Sequence, residues 1–350
     1  MKRRAAVMAI VLTAVSAAVT ACSLSDGSSG QQQTPTVTLV THDSFAAPQE
    51  VLDAFQKQSG IKITVLKQGD AGALTNKLVL TKANPIGDVA YGVDSTFASR
   101  ALAEGVFEPY TSPEADRGPQ LYAIDQEHRL SAVDLGDVCI NVDTRYFAAK
   151  GIAAPTSYDD LADPKYKDLM VAEDPATASP GLAFLLGTVA KFGEQGWHEY
   201  WTKLKANGLK VDSGWEEAYT KDFSGSSGKG PRPIVVSYAS SPAAEVGDDG
   251  KPRTKALLDT CYRQVEYAGV LAGGKQVENA RKVVDFLLSQ QFQVTVAPNM
   301  YVYPARQGVD LPGVWAQVAP LPQKPQTLPA DKVQAGREKW IGEWRTLMQG

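Results

Sequence analysis

The chain has 350 residues, with 35 basic against 39 acidic side chains, 43% hydrophobic and 21% charged residues, three histidines and three cysteines. That is about two domains' worth of chain, and the composition excludes disordered, collagen-like and disulfide-miniprotein classes. A net charge of −4 gives no electrostatic footprint for nucleic acid.

The first segment reads as a targeting signal. Lys2, Arg3 and Arg4 precede an apolar run from Ala5 to Ala21, which closes on Val19-Thr20-Ala21-Cys22. The run is shorter than the ~20 apolar residues a membrane span needs. Val-Thr-Ala-Cys resembles a bacterial lipobox, so residues 1–21 are read as a removed lipoprotein signal. Cys22 is then the lipidated residue, tying the exported protein to the outer face of the cytoplasmic membrane. Residues 22–35, rich in Ser, Gly and Gln, form a flexible tether to a solute-binding body over 36–350. Removing three of the 35 basic residues leaves 32 against 39 acidic ones, so the body carries −7 and suits a cationic ligand better than an anionic one. Cys139 and Cys261 remain, in a compartment where thiols oxidise; they are either a disulfide or two buried free cysteines.

Strands are expected at Val37–Thr41, Ile61–Leu66 and Asp88–Gly92, alternating with helices at Pro48–Ser59, Ala73–Ala83 and Phe97–Glu104. This is the rhythm of an α/β domain with a mainly parallel sheet. Ser131–Val142 reads as one extended run, Leu169–Ala172 and Ile234–Tyr238 as strands, and Pro180–Phe192 and Trp197–Lys205 as helices. A strand at Tyr262–Val270 leads to helices at Val277–Leu288, Gln290–Val296 and Gln334–Met348, the last amphipathic. Two lobes are expected, one of residues 36–135 with part of 262–350 and one of residues 140–260. Crossing strands near 131–142 and 262–270 would join them.

Open α/β sheets bind ligands beyond the carboxyl ends of their strands, so the strand-to-helix junctions are the places to seek function. The first, Thr41-His42-Asp43-Ser44-Phe45, offers an imidazole, a carboxylate and a hydroxyl, although Asp43 and Ser44 could equally cap the next helix. The second, Asp174 to Gly181, suggests Ser179 as a helix cap before Pro180, with outward N–H groups that attract anions. The third carries most information. Trp215 and Tyr219 stand four apart on one helical face, Tyr238 ends a strand, and Tyr301 and Tyr303 follow a helix. Aromatics at several strand ends, with Asp43, Asp70 and Asp94 at the ends of the first lobe, describe a pocket in which rings stack on a flat cation and carboxylates balance its charge.

Taken together, Thr41–Phe45, Asp88–Asp94, Asp174–Leu182, Gly214–Tyr219, Ser237–Pro242, Tyr303-Pro304 and Trp340–Trp344 resemble the bacterial periplasmic thiamine-binding proteins. These are solute-binding components of ABC importers with the type II periplasmic binding fold. The resemblance implies an α/β, two-lobed fold that closes on thiamine or its phosphates, delivery to a membrane permease, a monomer, and no cofactor or metal. It places His42, Asp70, Trp215, Tyr238 and Tyr301 against the vitamin and Thr177 to Ser179 near its hydroxyethyl or phosphate end. His42 and Tyr301 stand where tyrosine and tryptophan are usual in that family, and Ala178 and Ala244 replace a serine and a tyrosine. The missing hydroxyl at Ala178 counts against the phosphorylated forms.

Other readings of the same fold are a ferric-iron site, for which the chain lacks an adjacent tyrosine pair, and a polyamine site. An exported hydrolase is the third class. His42, His128 and His198 are far apart, and neither H-E-x-x-H nor G-x-S-x-G occurs. Gly269 to Gln276 approaches a phosphate loop but has Gln276 where a magnesium-binding hydroxyl is required.

Overall fold

A computed structural model of the chain describes residues 34–227 and 229–350. The signal at 1–21, Cys22 and the tether up to residue 33 lie outside the described residues. Among the described residues no helix is long and apolar enough to cross a membrane.

The β-branched runs in the first third build one sheet. β1 (Thr36–Thr41) lies parallel to β2 (Lys62–Lys67) and to β3 (Val89–Asp94), with α1 (Gln49–Ser59), α2 (Ala71–Leu80) and α3 (Ala98–Ala103) as connections. α1 stops where Gly60 takes the left-handed conformation, φ 72°, which glycine adopts without steric cost. β4 (Ser131–Leu135) belongs to the same sheet, and the chain then enters a second one at β5 (Val138–Asp143).

Helices α4 (Thr144–Lys150) and α5 (Tyr158–Leu161) lead to β6 (Met170–Glu173) and α6 (Ser179–Ala206), followed by β7 (Lys210–Asp212) and α7 (Trp215–Glu217). Then come β8 (Ile234–Tyr238) and β9 (Thr254–Tyr262), which give the second sheet the order β7-β6-β8-β5-β9. β10 (Val265–Val270) returns to the first sheet, antiparallel to both β3 and β4. After α8 (Val277–Leu288), α9 (Gln290–Met300) and β11 (Tyr303–Pro304), the first sheet has the order β11-β4-β10-β3-β1-β2. α10 (Trp315–Val318) and α11 (Ala330–Gln349) complete the chain.

The architecture is therefore mixed α/β with one sheet per lobe. Two expected strands are each really two. The run from Ser131 to Val142 divides at Gly136-Asp137, and that from Tyr262 to Val270 divides at Arg263-Gln264, where the chain passes between sheets. Each junction is a pair of consecutive non-apolar residues that interrupts the alternation, and it marks where the chain changes sheet. The crossings are fastened side by side: Gly136 N–H donates to the Gln264 carbonyl at 3.1 Å, and the Arg263 guanidinium grips the buried Asp137 carboxylate. Just beyond them a disulfide joins Cys139 on β5 to Cys261 on β9. Closing a loop of 122 positions stabilises the fold by about 4–5 kcal/mol at most on the chain-entropy account.

β7, with three residues, has no counterpart in the sequence reading, and neither has the part of β9 before Tyr262, where the Leu257-Leu258-Asp259 step breaks the alternation. The two helices expected around Pro180–Lys205 form a continuous element with a break at Gly193, φ 75° and ψ 176°. Between β8 and β9, Ser241–Glu245 forms a short 3-10 turn. α11 packs on α6, with Trp344 edge-on to Trp201 at 5.6 Å, which extends the core of the second lobe.

Candidate functional site

A slot opens between the sheets, with about 610 Å3 of empty space when the open solvent at its mouth is included. Residues that follow the carboxyl ends of β1, β2, β7 and β8 line it, as do Glu266 on β10 and the chain leaving α9.

The first lobe contributes charge. His42 follows β1 and its ring rests on Gly92, φ 100°, where a Cβ would come within 2.0 Å of the imidazole Cδ2. Both the dihedral and the space restrict position 92 to glycine. His42 Nε2 lies 3.3 Å from Glu266 Oε2. Burial alone would lower the His42 pKa, but the Glu266 carboxylate, with Asp70 and Asp43 behind it, outweighs burial and holds it above the ordinary value. Behind Glu266, the Tyr91 hydroxyl donates to Asp134, whose pKa burial and the neighbouring Glu266 push well up.

Asp70 caps α2 and spends its carboxylate on backbone donors. Oδ1 accepts from Ala71 N at 2.7 Å and Ser179 N at 3.1 Å, and Oδ2 accepts from Trp215 N at 3.0 Å. Burial lifts its pKa against the pull of those three N–H groups. Two of the donors belong to the second lobe, so Asp70 is both a slot residue and a clasp between lobes.

The second lobe contributes rings. Trp215 stacks on Tyr219 at 4.8 Å and 18°, as their four-residue spacing predicts, and the indole N–H donates to Ser237 Oγ at 2.8 Å. Tyr238 stands tilted to Trp215 at 6.1 Å. Tyr301, from the first lobe, caps α9 in the left-handed conformation, φ 54°, which a non-glycine residue adopts only where its surroundings hold it. Its carbonyl accepts from Ser240 Oγ, and its ring lies parallel to Trp315 at 6.5 Å.

His42, Asp70, Trp215, Tyr219, Tyr238 and Tyr301 thus converge on one slot. Four residues of the sequence-derived set do not line it. Asp43 accepts from Gly69 N at 2.9 Å and faces an adjoining outer recess, shared with Thr177, whose hydroxyl donates to the Ser213 carbonyl at 2.7 Å. Asp94 is fully buried, accepts from Thr96 N at 2.6 Å and receives the Ser179 hydroxyl. Ser179 is not the cap of α6; Ala178 holds that position, and the Ser179 side chain turns to the other lobe.

The slot contains one carboxylate that sequence reasoning missed. Glu266 sits inside the apolar strand Val265–Val270, and a charged residue within a fully buried strand was the signal that could have found it. Met300 and Val302, also missed, flank Tyr301. Among the described residues no group of three His, Cys, Asp or Glu side chains is placed to hold a metal ion.

A thiamine-binding periplasmic protein of Brucella suis is 29% identical over 326 residues, covering 89% of this chain and 92% of that protein. The protein of the same name from Escherichia coli K12 is 29% identical over 322 residues, covering 89% and 93%. Among solved structures, a periplasmic thiamin binding protein superposes with a TM-score of 0.80 at 27% identity, covering 91% of this chain and 98% of the other. Residues 84–328 match the family of bacterial extracellular solute-binding proteins, and the chain belongs to that family.

Proposed function

We propose that this solute-binding protein captures thiamine or its phosphates and delivers it to an ABC permease, acting as a monomer held at the membrane by lipid on Cys22. The observation that carries the reading is the pairing of a stacked Trp215–Tyr219 wall with the Asp70 and Glu266 carboxylates in one slot that, among the described residues, no lysine or arginine lines. Thiamine carries two flat aromatic rings joined by a methylene, one of them cationic: the rings gain from stacking and the thiazolium from the carboxylates. The chemistry is capture alone. The open form takes the ligand, closure buries the rings, and the closed form docks.

Titration of tryptophan fluorescence tests this directly. Quenching by submicromolar thiamine is expected, and no response to thiamine or its phosphates would refute the reading. A visible charge-transfer band on adding ferric citrate would move it to iron.

A further inference from the structure

The α6 N-terminus is the natural place for an anion in this cleft, because free N–H groups and the helix dipole point out of such an end. Here the first of those donors is already engaged and the second position has none. Ser179 N donates to Asp70 Oδ1 at 3.1 Å, and the Ser179 hydroxyl donates to Asp94. Pro180 has no N–H to offer. Gly181 packs so closely on β6 that a Cβ there would lie 2.3 Å from the Glu173 carbonyl oxygen.

The surroundings are also unsuited to a second anion. Among the described residues no lysine or arginine lines the slot. The outer recess that shares Asp70 and Trp215 with it presents Asp43, Glu216 and Glu217 and is lined by Lys221, which lies 4.0 Å from Glu217, while Lys67 at its edge donates to the Asp43 carbonyl at 2.6 Å. A phosphate tail leaving the slot would meet carboxylates and would have to displace Asp70 to reach backbone donors. Repulsive elements of this kind set specificity as strongly as attractive ones.

We infer that the cleft selects unphosphorylated thiamine over its phosphate esters, with Asp70 and Asp94 serving as built-in anions at the α6 N-terminus. The inference rests on the thiamine reading and narrows it. Asp70 has a double part, as slot residue and as clasp. Asp94 is a positioning residue, which acts through Ser179 without touching ligand.

The test compares thiamine, thiamine monophosphate and thiamine pyrophosphate by fluorescence titration at pH 7.5, with inorganic pyrophosphate alone followed by thermal melting. Thiamine pyrophosphate is expected to bind at least about tenfold more weakly than thiamine. Inorganic pyrophosphate at millimolar concentration is expected to leave the melting temperature unchanged. An ester that binds within tenfold of thiamine, or more tightly, overturns the inference, as does stabilisation by inorganic pyrophosphate. If thiamine itself fails to bind, the proposed function falls, while the pyrophosphate arm still decides whether the helix end is closed to anions. Asp94→Asn removes one anion from outside the slot, and the preference for thiamine should fall about threefold or more. An unchanged ratio in that variant removes Asp94 from the account.

Discussion

The two walls of the slot are made differently. The second lobe presents rings from two short stretches, Trp215 with Tyr219 and Tyr238 at the end of β8, whose side chains contact one another and Ser237 within that lobe, while the Trp215 backbone N–H alone reaches across to Asp70. The first lobe presents charge, with His42, Asp70 and Glu266 arriving from three separate strands and relying on one another or on the opposite lobe. The ring wall can therefore exist before closure, whereas the charged wall is completed by it. Stacking should dominate affinity, and electrostatics should set which ligand is accepted and at what pH.

The strongest way to break this division is to remove the ring wall. Trp215→Ala should lower thiamine affinity by about 100-fold, roughly 2.7 kcal/mol, since the indole supplies most of the stacking area and Tyr219 loses its partner. Isothermal titration checks it, and a loss below about threefold would show that the wall is not where the ligand stacks.

A smaller effect is expected from the charged wall, with a pH signature. His42 has a raised pKa because Glu266 lies beside it, so the pair is held together by charge at low pH. As pH rises through the raised His42 value that contribution to stability is lost, the imidazole becomes neutral, and Glu266 is freed to balance a bound cation. Thiamine affinity should therefore increase with pH through that transition, and binding should release a proton. Glu266→Gln should cost about tenfold in affinity, roughly 1.4 kcal/mol, and flatten the pH dependence. A variant that keeps the wild-type slope would place the titrating group elsewhere.

What the sequence made legible follows the same division. The rings could be found because Trp215 and Tyr219 share a local helical spacing and Tyr238 ends a β-branched run. The alternation of strands and helices in the first third likewise gives β1 to β3. The charged wall was only partly legible. Glu266 is obscured inside an apolar strand, and its neighbour Asp134 lies on a strand that pairs with it only through the crossover. The Asp94–Ser179 pair spans 85 positions and two lobes, so no local pattern marks it. Read as a cap, Ser179 fits every sequence rule; the fold instead leaves the cap position to Ala178 and gives the hydroxyl to a buried carboxylate that needs a donor.

That carboxylate gives the smallest effect and the sharpest test of how the lobes are joined. Burial lifts the Asp94 pKa from its ordinary 3.8 to about 6, against the hydrogen bonds from Ser179 and Thr96 that lower it. The folded protein thus keeps this proton up to about pH 6, while the unfolded chain releases it near 3.8. Stability is consequently lost as pH rises between those values, and the loss persists above them. The full shift is equivalent to about 3 kcal/mol, a ceiling from which the cost of rearranging the hydrogen bonds is subtracted. Asp94→Asn carries no such charge: its carbonyl can still accept from Thr96, and its amide can donate to Ser179 Oγ. The variant should match the wild type near pH 4 and exceed it by about 1 kcal/mol near pH 8, read from denaturant unfolding at both values. Equal stability at pH 8 would mean that the carboxylate is better solvated than its burial implies, so that the join between Asp94 and Ser179 opens to water in the free protein.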